Sequence, residues 1–323
     1  MFKIRIKYIW GALLTSFCLV SFSPLENSII TLEEVKPLFG GGGFTAPSWL
    51  NDNKSQIVAT QKGFTGLYLF DLDTKIVSPI NTDLAAGYKY QILDNGYLLT
   101  KYAITKSSKT SGFRRIEGVK ITDPKTKKVL LKEELNTSRV TVLEPYIEGK
   151  SLLLPVFDSK DINYFKINSS PSRKERGFFD HYLIYYTDKG IVLNDKKGDQ
   201  KLLSGQYGID PVKSPDGNFL CFNDYGTLKL LDQNNTLISV STGLNATWTP
   251  DSKYLIFQQT EDDGEKITRS ELYAYELKTK KIIQLTDTED IQEEYPSISA
   301  DGKSIVFSDI QKGLIFTGQL KKG

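Results

Sequence analysis

One histidine, His181, and two cysteines, Cys18 and Cys221, occur in 323 residues. That count excludes a metal held through several histidines. A Ser-His-Asp triad would have to use His181, yet the sequence has no Gly-x-Ser-x-Gly elbow, and no catalytic residue is expected. His181 follows Asp180 at the start of an apolar run, a structural place. Cys18 falls in an apolar leader, so the chain beyond it has a single thiol and no internal disulfide. Cys221 lies inside an apolar strand-like run, where cysteine packs as a small hydrophobe. Charge of one sign is missing too. The 41 basic and 39 acidic residues leave a net +2, without the basic footprint of a nucleic-acid binder. Phosphate loops are also absent. Gly40-Gly-Gly-Gly43 is followed by neither Gly-Lys-Ser/Thr nor a helix, and reads as a flexible crossing.

What is present begins with a leader. Residues 1–23 have a basic start (Lys3, Arg5, Lys7), an apolar run at 8–20, then small residues. This is a secretory pattern, too short for a spanning helix, and it implies export to a bacterial periplasm or envelope. Phe17 before Cys18 is not the small residue that lipid attachment requires, so anchoring through Cys18 is not expected.

The dominant feature is a repeat. Pro211-Val-Lys-Ser-Pro-Asp-Gly-Asn-Phe-Leu-Cys-Phe222 recurs without gaps as Ala246-Thr-Trp-Thr-Pro-Asp-Ser-Lys-Tyr-Leu-Ile-Phe257 and as Pro296-Ser-Ile-Ser-Ala-Asp-Gly-Lys-Ser-Ile-Val-Phe307. A worn copy spans 47–58. Pro-Asp-Gly is turn chemistry: a fixed φ, an Asx-prone residue, then one that tolerates positive φ. The short apolar run behind it reads as a strand covered on both faces. Strands of alternating character follow, as in Leu272-Tyr-Ala-Tyr-Glu-Leu-Lys-Thr-Lys280 and Lys281-Ile-Ile-Gln-Leu-Thr286. Four short strands every 40 residues or so make a propeller blade. The repeated aspartates Asp52, Asp216, Asp251 and Asp301 belong to separate blades, where each bonds its own turn.

These residues together resemble the TolB-type β-propeller repeat over 45–135 and 208–320, and the resemblance breaks down over 140–205. It implies an all-β propeller of six four-stranded blades. These fall near 45–82, 87–135, 140–205, 206–243, 244–287 and 291–320, with seven blades if 140–205 holds two incomplete ones. The strand at 29–38 has no blade before it and the last copy runs short, so the N-terminal strand is expected to close the ring. TolB proteins carry an extra α/β domain before the propeller, which is not expected here, so their role is not carried over.

Two places could carry a site. Around the channel mouth stand Tyr88, Glu144, Asp210, Asn245, Glu294 and Tyr295. Their three carboxylates could hold a divalent cation only if they converge; no cofactor and no metal is expected. On the face opposite the Pro-Asp-Gly turns, insertions at 104–115 and 261–269 bring Arg114, Arg115, Asp262, Asp263, Lys266 and Arg269. Variable polar loops on a rigid repeat scaffold are common binding surfaces. The leading expectation is an exported, non-catalytic propeller, monomeric or part of a hetero-complex, that binds a protein or envelope component. The alternative is a carbohydrate-binding or carbohydrate-active propeller using the acidic channel residues.

Overall fold

The computed structural model describes residues 30–50, 55–93, 95–108, 112–135, 137–148, 151–158, 160–167, 176–195, 197–203 and 208–322. The leader with Cys18, the turn carrying Asp52 and the stretch 168–175 lie outside them. Seven antiparallel sheets form the blades of a ring. Blade 1 runs Phe44–Trp49, Gln56–Gln61, Thr65–Asp71, Ile76–Asn81, and blade 2 runs Gln91–Ile92, Leu98–Ser108, Gly112–Thr122, Val129–Leu135. Blade 3 has Thr141–Val142 and Tyr146–Glu148 along one edge, then Ser151–Phe157 and Ile162–Ile167. Blade 4 has Leu183–Thr187, Gly190–Asn194 and Gln200–Leu202. Blade 5 spans Ile209–Lys213 to Leu237–Thr242, and blade 6 spans Leu244–Trp248 to Ile282–Gln284. Blade 7 takes Glu293–Ile298, Ser304–Asp309 and Ile315–Lys322, and its outer strand is Ile30–Pro37. Ile30 pairs with Lys322 and Pro37 with Phe316, so the first described strand closes the ring as expected.

The ring is held by one apolar cluster at each of its seven interfaces. Second strands show how. Leu220 and Phe222 face blade 4 while Cys221, between them, faces blade 6. Likewise Leu255 and Phe257 pack on blade 5, and Tyr254 and Ile256 on blade 7. Strand period 2 thus explains the continuous apolar runs: both faces are covered.

The turns between first and second strands repeat one device. In blade 5 the Ser214 hydroxyl donates to Asp216 at 2.5 Å and accepts from the Phe219 amide at 2.9 Å. Thr249, Asp251 and Tyr254 do the same in blade 6, and Ser299, Asp301 and Ser304 in blade 7. Gly217 and Gly302 have φ of 70°, and Ser252 takes 58° at the same place. These turns all lie on one side of the ring, the turn face. The hairpins between second and third strands, and the crossings between blades, lie on the other, the hairpin face.

The six-blade expectation is corrected to seven, because 140–205 holds two blades rather than one irregular one. Each lacks a strand among the described residues. Ile209, at the hairpin-face start of blade 5, lines a cavity with Thr187 and Asp188. The Phe179 amide donates to Gly217 O at 2.8 Å on the turn face. Leu183–Thr187 therefore runs from the turn face to the hairpin face, the direction of a second strand. Among the described residues blade 3 shows no outer strand and blade 4 no inner one.

Candidate functional site

First strands line the channel, and four of them carry a β-bulge at the same step: between Thr45 and Ser48, Ile209 and Val212, Leu244 and Thr247, and Glu294 and Ser297. Inside each bulge sits a residue with positive φ: Ala46, Asp210, Asn245 and Tyr295, at 48° to 52°. Lys89 takes 51° at the corresponding place in blade 2. A bulge bends the strand and re-aims a side chain, and a left-handed non-glycine residue there is strained.

The channel encloses a cavity of about 1230 Å³, and a second chamber of about 740 Å³ opens beside it between blades 2, 3 and 4. Tyr88, Lys89 and Tyr186 line both. Lys89 reaches from blade 2 to pair with Asp210 of blade 5, its ammonium 5.3 Å from the Tyr186 ring centre and 5.6 Å from that of Tyr88. Burial opposes the charge on Lys89, but Asp210 outweighs it and the ammonium is held above its ordinary pKa. Lys101 donates to Val140 O at 2.9 Å and lies 4.5 Å from the Tyr88 ring centre. On the blade 4 side, Lys213 bonds Glu144 at 2.6 Å and Asp180 at 2.8 Å. Burial works against the Asp180 charge; the Lys213 bond and the Arg176 and Gly177 amides outweigh it and hold this carboxyl at about 2.

Of the expected mouth residues, Tyr88, Glu144, Asp210, Asn245 and Tyr295 line the channel cavity. Phe64 packs edge-on between Tyr88 and Tyr295, at 5.5 and 6.3 Å. The Asn245 amide turns back to Gln258 Oε1 at 2.8 Å. Glu294 is not in the cavity wall; at the junction of blades 7 and 1 it accepts from Thr45 at 2.6 Å and Ser308 at 3.1 Å. Burial pushes its carboxyl up, against those two bonds. The three carboxylates therefore do not share a ligand sphere, and among the described residues no three metal-ligating side chains do. Glu144 and Asp210 are each committed to a lysine.

The two insertions are regular extensions of hairpins. Arg115 pairs with Glu117 at 3.0 Å, and Glu117 accepts the Val140 amide of blade 3 at 3.2 Å. Arg269 pairs with Glu271 at 3.1 Å, which accepts the Thr288 amide in the crossing to blade 7 at 3.1 Å. Both arginines thus brace a carboxylate that ties one blade to the chain of the next. Asp262 and Asp263 bond the amides of their own turn, Gly264 at 3.0 Å and Lys266 at 2.9 Å. Arg114 and the Lys266 side chain are exposed.

Lys89, Lys101, Lys213, Asp180 and Tyr186 were not singled out from the sequence. Lys89 was within reach: it occupies in blade 2 the place of Asp210 and Tyr295 in theirs, one residue beyond Tyr88.

No family model matches the chain, and no curated protein matches it. Solved structures do. The crystal structure of the Myceliophteria thermophila Cps50 (Swd1) β-propeller domain superposes with a TM-score of 0.57 at 11% identity, covering 88% of this chain and 99% of that one. The crystal structure of a mitotic checkpoint complex contains a chain that matches at 0.53 and 14% identity, with 99% of each chain covered. A chain of the tricorn protease crystal structure reaches only 0.36 at 17% identity, over 82% of this chain and 28% of that one, so this chain spans little more than a quarter of its length. At these identities the likeness is one of fold: the chain is a WD40-like β-propeller of seven blades.

Proposed function

We propose that the protein is a non-catalytic scaffold that binds a protein partner through its hairpin face. One observation carries this reading. Leu84, Phe113, Tyr225 and Leu244 are 60%, 82%, 81% and 40% exposed, and all four sit on hairpins or crossings of that face. The turns between first and second strands offer Asp251, Lys253, Asp301 and Lys303, and the exposed apolar residues at that end, Ile76, Val129, Leu237 and Ile282, begin outer strands and carry no aromatic ring. Phe113 and Tyr225, the most exposed of these side chains, both project from the hairpin face of a rigid ring, and exposed aromatics are the usual anchors of a protein interface. A chain of similar fold occurs in the structure of a mitotic checkpoint complex, which supports a partner that is itself protein.

The reading extends to place. The basic and apolar leader supports export, which puts the partner in a periplasm or cell envelope, and the Pro-Asp-Gly turns support a TolB-type origin for the repeat. Cross-linking in the native envelope followed by capture of the protein tests the scaffold reading. The double variant Phe113→Ser, Tyr225→Ser loses the captured partner, while Ile76→Ser on an outer strand keeps it. If the hairpin-face double variant retains its partner, or if wild type captures none, the reading fails.

A further inference from the structure

The wall of the smaller chamber holds an ammonium, that of Lys101, with no carboxylate bonded to it among the described residues. Lys89, Lys101 and Arg139 line it, against Glu117 and Asp188. Glu117 is taken by Arg115 and by the Val140 amide. Lys89 is taken by Asp210. Among the described residues no carboxylate pairs with Lys101, whose ammonium meets only the Val140 carbonyl and the Tyr88 ring. Burial lowers its pKa; Glu117 pulls the other way, while Lys89 and Arg115 add to the fall. An ammonium in a cavity wall, bonded to a neutral acceptor and an aromatic face, is set up to receive an anion.

The surroundings say which kind. The chamber holds about 740 Å³, room for a side chain and its neighbours rather than for a lone ion. Its rim is apolar. The Leu84 carbonyl accepts the Ala103 amide at 3.0 Å, which places Leu84 beside the strand that carries Lys101. Leu84 is 60% exposed and Tyr88 38%. We propose that this chamber receives an aspartate or glutamate side chain from a partner peptide whose neighbouring residues are apolar, with Lys101 as its counter-charge and Leu84 and Tyr88 as the rim its neighbours cover. The proposal deepens the scaffold reading and rests on it for the partner being protein.

A structural alternative exists, in which Lys101 only ties blade 2 to blade 3, and the test separates the two. A randomised heptapeptide mixture is passed over the immobilised full chain, and the retained pool is sequenced for acid content. Wild type enriches Asp and Glu flanked by Leu, Ile, Val or Phe by roughly tenfold over the input, and raised salt weakens the enrichment. Lys101→Met abolishes the acid enrichment with its circular dichroism spectrum unchanged, whereas Lys253→Met on the turn face behaves as wild type. An individual retained peptide, resynthesised with Gln or Asn for its acid, binds wild type about tenfold more weakly and Lys101→Met no more weakly than the acidic form does. The proposal is overturned if wild type enriches no acid, or if folded Lys101→Met enriches it equally. Envelope capture that depends on Phe113 and Tyr225 but not on Lys101 would sink this proposal and leave the scaffold reading standing. Acid enrichment lost with Lys101, without any captured partner, would do the reverse.

Discussion

The Lys213 ammonium lies 2.8 Å from the Asp180 carboxylate, and neither side chain is more than 12% exposed. Glu144 completes the group at 2.6 Å from the other side. Three segments of chain meet in it: the first strand of blade 5, the short turn Phe178–His181, and the edge of blade 3. The group stands in the sector where blade 4 shows no inner strand among the described residues, and ionic bonds join blades 3 and 5 there.

Lys213→Met leaves the Asp180 charge facing a protein wall without its partner. Removing one member of a buried pair costs about 3 kcal/mol. Chemical denaturation at pH 7 measures it. The acid limb gives a second check. Asp180 is held at about 2 in the fold, below its ordinary 3.8, so its contribution is present above the ordinary value and disappears as pH falls from there to about 2. Wild type loses stability across that window, and Lys213→Met loses less.

Glu293 behaves in the opposite sense. Its side chain is fully buried, one carboxylate oxygen has no hydrogen-bond partner, and the other accepts from Thr288 at 3.1 Å. Burial, and then the nearby Glu271, push it up to about 8 from 4.5. The folded state therefore holds a proton that the unfolded state has released once pH passes 4.5. Stability is greatest below that value and falls as pH rises to about 8, with a limiting slope of about 1.4 kcal/mol per pH unit from this group. Glu293→Gln keeps the shape and removes the titration. Unfolding midpoints between pH 5 and 8 decline in wild type and flatten in the variant; parallel curves would refute the assignment.

How far these features could be read in the sequence varies by blade. Blades 5 to 7 declare themselves because the Ser/Thr-x-Asp turn fixes where one strand stops and the next begins, and the apolar run behind it is long enough to register. Ring closure by Ile30–Pro37 was legible as a strand without a sheet. Blades 3 and 4 were not legible, since among the described residues the inner strand of blade 3 is split into two short pieces and blade 4 shows only three strands, and the sequence Gly149-Lys-Ser151 carries no aspartate. The site divides in the same way. Asp210 and Tyr295 could be found because a proline follows each in a repeated frame. Blade 2 has Tyr90 in place of that proline, so the sequence frame stopped one residue short, at Tyr88, and missed Lys89. No local pattern announces that Lys101 would lack a carboxylate. That depends on Arg115 and the Val140 amide having taken Glu117, which only the fold brings about.

Strain in the channel bulges predicts a gain of stability. Ala46 takes φ of 48° with no side-chain role to repay it. A left-handed conformation costs an L-residue about 1–2 kcal/mol, while glycine's extra freedom in the unfolded chain costs about 0.5–1. Ala46→Gly should therefore stabilise the protein by roughly 0.5–1 kcal/mol. Asp210→Gly relieves the same strain but frees Lys89, so it should gain less or lose. Equal gains from the two substitutions would mean the Lys89–Asp210 pair contributes nothing.

Ring closure sets the largest predicted effect. Ile30 is fully buried in the cluster between blades 6 and 7, with Leu32 against it, and the strand pairs with Ile315–Lys322 along nearly its whole length. Removing residues 30–37 exposes that cluster and bares the last strand as an unpaired edge. Loss of two apolar side chains from a packed core and of a row of backbone bonds amounts to several kcal/mol, which for a chain of this size lowers the melting temperature by roughly 10 °C or more. The exposed edge also makes the truncated protein self-associate, seen as a larger species in light scattering. Supplying the missing segment as a synthetic peptide should restore both the particle size of the full chain and part of the melting temperature, because the edge it pairs with is already formed. An unchanged melting temperature after the deletion would show that the ring is closed by side-chain packing between blades 7 and 1 alone, through Phe44, Val306 and Ile315.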